Sequence, residues 1–148
     1  MSRDLNASLS VAQSAQNVFN AVNNVRGWWS ERIEGVTDQI DQEFTYQRKE
    51  LHKCTMKIVE HVPDRKVVWL VLDNYFSFTQ DQSEWIGTRV EFEISESGGK
   101  TDLNFTHHGL GPEHECYNIC FDAWTFYITE SLRDLITKGV GQPNPLVE

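Results

Sequence analysis

The first third of the chain predicts one strand followed by two short helices. Apolar residues occupy every second position from Leu5 to Val11, which is the pattern of a strand with one buried face. Ser14 is a suitable helix N-cap, and the pair Asn23-Asn24 ends the helix that it opens. Residues 25–29 then predict a second short helical segment. The apolar positions of the first helix recur at helical spacing: Ala15, Val18, Phe19 and Val22.

The period of the pattern changes to two between residues 33 and 108, which predicts a run of strands. Turn residues stand between them, with Pro63-Asp64 in one turn and Gly98-Gly99 in another. Connections this short favour an antiparallel meander, because parallel pairing needs a crossover of about a dozen residues. Five strands are predicted, marked by Phe44/Tyr46/Arg48, Cys54/Met56/Ile58, residues 67–72, Val90/Phe92/Ile94 and Leu103/Phe105/His107.

The last part of the chain predicts one long helix over residues 113–138. Glu113 and Glu115 favour its first turn, and Lys138-Gly139 is typical of a helix end. Its apolar positions recur every three or four residues: Tyr117, Phe121, Trp124, Ile128, Leu132 and Leu135. Together the elements predict an α+β fold, in which a curved antiparallel β-sheet wraps around a long C-terminal α-helix.

Composition and charge then narrow the class of protein. A length of 148 residues predicts a single domain spanning residues 1–148. The net charge is −9 and no cluster of Lys and Arg is present, which argues against nucleic acid and anionic membranes as partners. No apolar run approaches the ~20 residues that span a bilayer, and no secretory signal is recognised. With three cysteines, we expect a cytoplasmic protein.

Familiar catalytic and cofactor motifs do not occur in the sequence. There is no Gly-x-Ser-x-Gly elbow and no glycine-rich phosphate loop between a strand and a helix. His114, Cys116 and Cys120 lie close together, but they lack the paired spacing of zinc sites. We therefore predict no metal and no cofactor.

The order of elements resembles the helix-grip fold shared by the birch-pollen allergen and START-type lipid-transfer domains. More specifically, the chain resembles the bacterial SRPBCC proteins that are like the activator of heat-shock-protein-90 ATPase homologue. The resemblance covers about residues 3–143 and implies a cavity between the sheet and the last helix. It is carried by Val18-Phe19-Asn20-Ala21-Val22, Gly27-Trp28-Trp29-Ser30, Trp85-Ile86-Gly87-Thr88-Arg89-Val90, Thr106-His107-His108-Gly109-Leu110 and Trp124.

Strand parity and helix spacing select the residues that would line such a cavity. Tyr46, Arg48 and His107 are polar positions that share parity with apolar strand neighbours, and they could orient the polar end of a ligand. The sequence favours, over a ligand contact, a His107 that is simply hydrogen-bonded to backbone or water at the end of a strand. The predicted ligand-binding set is Tyr46, Arg48, Trp69, Phe92, Phe105, His107, Tyr117, Phe121 and Trp124, and no catalytic residue is assigned.

The sequence thus predicts a protein that sequesters a small, largely apolar molecule. Two alternatives stay open. One is a protein-interaction module, with a chaperone as partner and with the acidic surface and residues 74–83 as the contact. The other is an enzyme like a polyketide cyclase or aromatase, using His107 and Arg48. The apolar run at residues 67–72 leaves a homodimer open as well, if its outer face packs on a second copy.

Overall fold

Seven antiparallel strands form one continuous sheet in the computed structural model, which describes residues 4–80 and 84–145. The strands lie in the order β1-β7-β6-β5-β4-β3-β2, so the first strand pairs with the last. Their bounds are β1 Leu5–Val11, β2 Ile33–Gly35, β3 Glu43–Arg48, β4 His52–Val62, β5 Lys66–Phe76, β6 Arg89–Ser97 and β7 Lys100–His108. The predicted antiparallel meander is confirmed, with β2 as an additional short strand.

Two short helices follow the first strand and a long helical segment follows the last strand, as predicted. The short helices are α1 Ala15–Asn23, capped by the Ser14 side chain, and α2 Val25–Trp28. The C-terminal segment consists of α3 Tyr117–Phe126, a π-helical stretch Tyr127–Leu132, and α4 Arg133–Lys138. These elements confirm the α+β helix-grip class. No helix in the described part of the chain combines the length and apolar character needed to cross a membrane.

The C-terminal helix begins at Tyr117, four residues later than the sequence pattern predicts. Residues 111–116 form turns instead, with the N–H of His114 donating to Gly111 O. The carboxylate of Glu84 accepts hydrogen bonds from the backbone N–H groups of Glu115 and Cys116 at 2.8 and 3.1 Å. A side chain from a distant loop therefore caps these donors, which a pattern local to the helix could not reveal.

The buried face of this helix is offset by one residue from the predicted stripe at its N-terminal end. Positions four apart are buried along its whole length: Cys116, Cys120, Trp124, Ile128, Leu132 and Ile136. A regular α-helix rotates such a row by about 40° at each step, because four residues exceed one turn of 3.6. The wider π-helical turn at Tyr127–Leu132 offsets this drift. The same face therefore stays on the core from end to end.

The core of the protein lies between the inner face of the sheet and the helices. The pairing of β4 with β5 has register shifts between Thr55 and Met56 and between Ile58 and Glu60, which bend the sheet around the C-terminal helix. Trp69 projects from β5 into this space and stacks on Trp28 and Trp29 at ring distances of 6.3 and 5.8 Å. The helical segment at residues 25–29 thus covers the inner face of the apolar run at residues 67–72.

Candidate ligand cavity

A cavity of about 280 Å³ lies between the C-terminal helix and the ends of strands β3, β4 and β5. Its base consists of buried residues: Trp29, Tyr46, Phe76, Trp85, Cys120, Trp124 and Tyr127. Three exposed apolar side chains, Leu51, Phe78 and Ile119, also line it. Arg48, His52 and Ala123 complete the lining. The cavity is thus an aromatic chamber that has apolar side chains reaching solvent.

The register of three strands explains how the polar residues reach this cavity. Arg48 ends β3 and pairs directly with His52 on β4, which pairs in turn with Phe76 on β5. Residues opposite each other in antiparallel strands project to the same face. Tyr46, two residues before Arg48, shares that face. One cross-strand row and its neighbour therefore supply a cation, an imidazole, a phenyl ring and a phenol.

Flat aromatic rings give the cavity rigid walls. The ring of Trp29 stacks on Tyr46 with centroids 4.0 Å apart and an angle of 11°. Trp85 stacks on Trp124 at 5.8 Å and 12°. Each of these rings is almost fully buried, so packing holds it in place. Such surfaces suit a flat, apolar ligand, because stacked rings gain contact area with little loss of side-chain freedom.

The C-terminal strap, residues 141–145, supplies a polar contact behind the chamber. Its Asn144 forms a parallel bridge with Ser30, and the backbone N–H of Asn144 donates to Trp29 O at 3.0 Å. The Asn144 side-chain amide donates to the hydroxyl oxygens of Tyr127 and Tyr46 at 2.8 and 3.2 Å. Burial, together with the neighbouring Tyr127, raises the pKa of Tyr46 above its ordinary value. Tyr46 therefore stays a neutral phenol.

His52 is a cavity residue that the sequence analysis did not select. Its Nε2 lies 2.7 Å from Asn74 Oδ1, and its ring packs edge-on against Trp85 at 4.6 Å. Burial lowers the pKa of His52 to about 4, so the imidazole is neutral at pH 7. A signal was present in the sequence, since His52 shares the parity of Cys54, Met56 and Ile58.

His107 lies outside this cavity lining and is hydrogen-bonded through both ring nitrogens. Trp124 Nε1 donates to His107 Nδ1 at 3.2 Å, and Nε2 lies 2.8 Å from Thr88 Oγ1, whose hydroxyl donates to Trp85 O. An indole N–H can only donate, so Nδ1 is unprotonated and Nε2 carries the hydrogen. Burial lowers the pKa of His107 to about 3. His107 is therefore a neutral side chain, which holds Trp124 by a direct hydrogen bond and Trp85 through Thr88.

The predicted ligand-binding residues fall into three groups. Tyr46, Arg48 and Trp124 line the cavity. Trp69, Phe92 and Phe105, like His107, are fully buried in the core and do not belong to the lining. On the last helix Tyr117 is half-buried and Phe121 is 40% exposed, because the buried face runs one residue earlier than the predicted stripe. Besides Trp124, the residues of the C-terminal helix that line the cavity are Ile119, Cys120, Ala123 and Tyr127.

Two other regions of the structure are weaker candidates for a site. The thiols of Cys116 and Cys120 contact each other, but no group of three or more metal-ligating side chains, with His114 or otherwise, occurs among the described residues. A second, larger groove of about 820 Å³ lies at the β4–β5 turn. Five of its eleven lining residues are charged: Asp64, Arg65, Lys66, Glu93 and Glu96. The aromatic chamber fits the usual character of a ligand pocket better, which is mostly apolar with a few polar groups.

The sequence matches the family described as Activator of Hsp90 ATPase homolog 1-like protein over residues 14–137. The chain belongs to this family. The resemblance found in the sequence is thereby confirmed. Among curated proteins, none matches the chain by sequence.

Solved structures similar to this one share its fold. The Aha1 dimer from Colwellia psychrerythraea has a TM-score of 0.76 at 18% identity, with 95% of this chain and 100% of that chain covered. Protein SSP2350 from Staphylococcus saprophyticus has a TM-score of 0.70 at 14% identity, with 97% and 99% covered. DynU16, from the dynemicin biosynthetic locus, has a TM-score of 0.70 at 11% identity, with 95% and 49% covered. Identities this low support the fold alone.

Proposed function

We propose that this protein binds a small, largely apolar molecule in the aromatic chamber between the sheet and the C-terminal helix. The observation that carries the proposal is a cavity whose base is seven buried, mostly aromatic residues and whose lining includes few polar groups. An interior that only stabilised the fold would be packed without such a space, because native cores leave few voids larger than a water molecule. The mechanism is sequestration, with the stacked rings supplying apolar contact.

The size of the chamber limits the ligand. An apolar cavity of ~150 Å³ holds benzene, and this one has about 280 Å³. A compact molecule with one or two fused rings therefore fits, while an extended lipid chain does not fit inside. Ligand pockets of this class commonly start near ~300 Å³, so the chamber lies at the lower end of the range.

Isothermal titration with the neutral bicyclic probe 2-naphthol tests the proposal. The substitution Ala123→Phe places a phenyl ring into the chamber from the helix, so we expect it to abolish binding while the protein remains folded. Asp122→Phe adds the same ring at the next, exposed position of the same helix and serves as the matched control. Binding that persists unchanged in Ala123→Phe would contradict the proposal.

A second candidate function is recognition of a protein partner. It is favoured by the exposed apolar side chains that also line the cavity, Leu51, Phe78 and Ile119, of which Ile119 is 55% exposed. The family description points to a chaperone as partner, and the similar Aha1 structure is a dimer. Of the residues 74–83 predicted as contact, 74–76 belong to β5 and 81–83 lie outside the described residues. Sedimentation velocity of the wild type and of Ile119→Ser tests self-association.

The cyclase-like alternative gains less support from the geometry. It required His107 as a base, but His107 does not line the cavity and both of its ring nitrogens are already hydrogen-bonded, to Trp124 and Thr88.

We place the binding function in the cytoplasm, since all three cysteines are free, buried thiols of the kind expected in a reducing compartment.

A further inference from the structure

The formal charges of the residues that line the chamber indicate which class of ligand it would bind. Among the described residues that line it, Arg48 carries the only formal charge near neutral pH, because burial keeps His52 and Tyr46 neutral. No carboxylate belongs to this lining, although the whole chain has a net charge of −9. Arg48 itself is exposed, so the preference that it gives for an anionic ligand is moderate and comes from charge-assisted hydrogen bonds to its guanidinium.

Arg48 is available for such a ligand. Its guanidinium forms no hydrogen bond or ion pair with any residue in the described ranges. It lies close enough to the phenol of Tyr46 for its charge to oppose the rise in that group's pKa. The guanidinium group presents a planar set of donors that matches the two oxygens of a carboxylate.

Among the polar groups that line the chamber, hydrogen-bond donors outnumber acceptors. The hydroxyl oxygens of Tyr46 and Tyr127 both accept from Asn144. The two hydroxyls are also hydrogen-bonded to each other, which uses one of their hydrogens and leaves the other for a ligand. Trp85 is almost fully buried, and its Nε1 has no hydrogen-bond partner among the described residues, apart from a weak interaction with the Cys120 thiol. A buried donor without an acceptor is costly. The chamber therefore favours a ligand that brings acceptors.

We propose that the ligand is a compact aromatic carboxylate, with its rings in the stacked aromatic chamber and its carboxylate paired with Arg48. This inference rests on the proposed binding function and specifies the ligand class for that site. Tyr46 or Tyr127 donates a hydrogen bond to the carboxylate. Neutral His52 lies opposite Arg48 and adds no second charge. The volume of about 280 Å³ admits two fused rings with one carboxylate.

Isothermal titration with two probes of the same ring and nearly the same shape tests the inference. The probes are 2-naphthoate and its neutral amide, 2-naphthamide, at pH 7.5. We expect the wild type to bind the carboxylate about tenfold more tightly, as a charge-assisted hydrogen bond at a partly exposed site allows. Arg48→Gln should remove this preference, so that the two probes bind with similar affinity, and leave the melting temperature unchanged. Arg48→Lys should retain part of it, because the charge remains and the planar donor pair is lost.

Arg133→Gln is the matched control, because Arg133 is exposed on α4 and does not line the chamber. We expect this variant to bind both probes as the wild type does. Equal affinity for the two probes, with no effect of Arg48→Gln, would overturn the carboxylate assignment and leave the proposed binding function standing. Failure of both probes and of 2-naphthol to bind at millimolar concentration would overturn both proposals.

Discussion

Because His107 is buried as a neutral side chain beneath the chamber, the free energy of unfolding should fall as the pH is lowered. His107 is fully buried with a pKa of about 3, against 6.5 for an ordinary histidine. Between these values the unfolded chain takes up a proton that the folded protein resists. Stability contributed by the neutral side chain is therefore fully present above pH 6.5 and is lost as the pH falls toward 3.

The magnitude follows from the difference between the two pKa values. A pH of 4 lies 2.5 units below the pKa of 6.5 that the histidine has in the unfolded chain. Each unit corresponds to about 1.36 kcal/mol. The free energy of unfolding should therefore be about 3 kcal/mol lower at pH 4 than at pH 7 because of His107. A folded pKa of 4 instead of 3 changes this figure by only a few tenths of a kcal/mol. The prediction thus depends on burial of the imidazole and little on the exact pKa.

Urea unfolding of the wild type and of His107→Gln at pH 7 and pH 4 measures this loss. Glutamine can still accept from Trp124 and donate to Thr88, but it does not titrate. We expect the variant to be less stable at pH 7 by about 1–3 kcal/mol and to lose about 3 kcal/mol less than the wild type between pH 7 and pH 4. His52 titrates in both proteins, so its contribution cancels in the comparison.

Parallel losses in the two proteins would refute the reasoning, because they would mean that His107 accepts a proton in the folded state. A second readout is independent of stability. ¹⁵N NMR of the histidine rings should show His107 with the hydrogen on Nε2 and with Nδ1 unprotonated at pH 6. The opposite tautomer would contradict the hydrogen bond from Trp124 Nε1.

Three further predictions concern the end of strand β7, the C-terminal strap and the last helix. Burial alone would lower the pKa of His108, but its hydrogen bonds and ion pairs with Glu91 and Asp4 outweigh this effect and raise the pKa. The stability that His108 contributes is therefore present below pH 6.5 and lost at higher pH. Urea unfolding of His108→Gln should show its largest loss of stability below pH 6.5 and a smaller one at pH 9. Gly141→Ala should lower the free energy of unfolding by about 1–3 kcal/mol, because a Cβ there would lie 2.3 Å from Gly27 O; no loss on thermal unfolding would show that the strap does not pack as described. Trp124→Ala should lower the free energy of unfolding in urea by about 3–5 kcal/mol, whereas Phe121→Ala, at an exposed position, should lower it by less than about 1 kcal/mol. Equal losses in the two variants would contradict the assigned buried face of the helix.

Most of the fold could be predicted from the sequence because it depends on short-range periodicity. Alternation with period two marked the long strands, and the capping serine and the Lys138-Gly139 ending marked helix boundaries that the structure confirms. The start of the last helix was missed because Glu84, more than 30 residues away, caps the preceding turn. The buried face was misassigned at its N-terminal end because a π-helical turn lies within the helix, and a fixed period of 3.6 cannot describe it.

The site was only partly predictable, because a cavity is defined by where packing fails to fill space. Parity correctly directed Tyr46 and Arg48 to the inner face, and both line the chamber. The same parity argument applied equally to Phe92, Phe105 and His107, which lie deeper in the core. Which inward residues face a cavity depends on the side chains opposite them. Asn144, which contacts both phenols, lies in a segment without periodicity.

The most direct test of ligand binding in the aromatic chamber is an NMR measurement of contacts between bound 2-naphthol and the labelled protein. The account predicts nuclear Overhauser effects from the ring protons of the probe to the methyl group of Ala123 and to the indole protons of Trp29 and Trp124, which line the chamber. Contacts to the methyl group of Ala15, in the larger charged groove, or no contacts at saturating probe would contradict it.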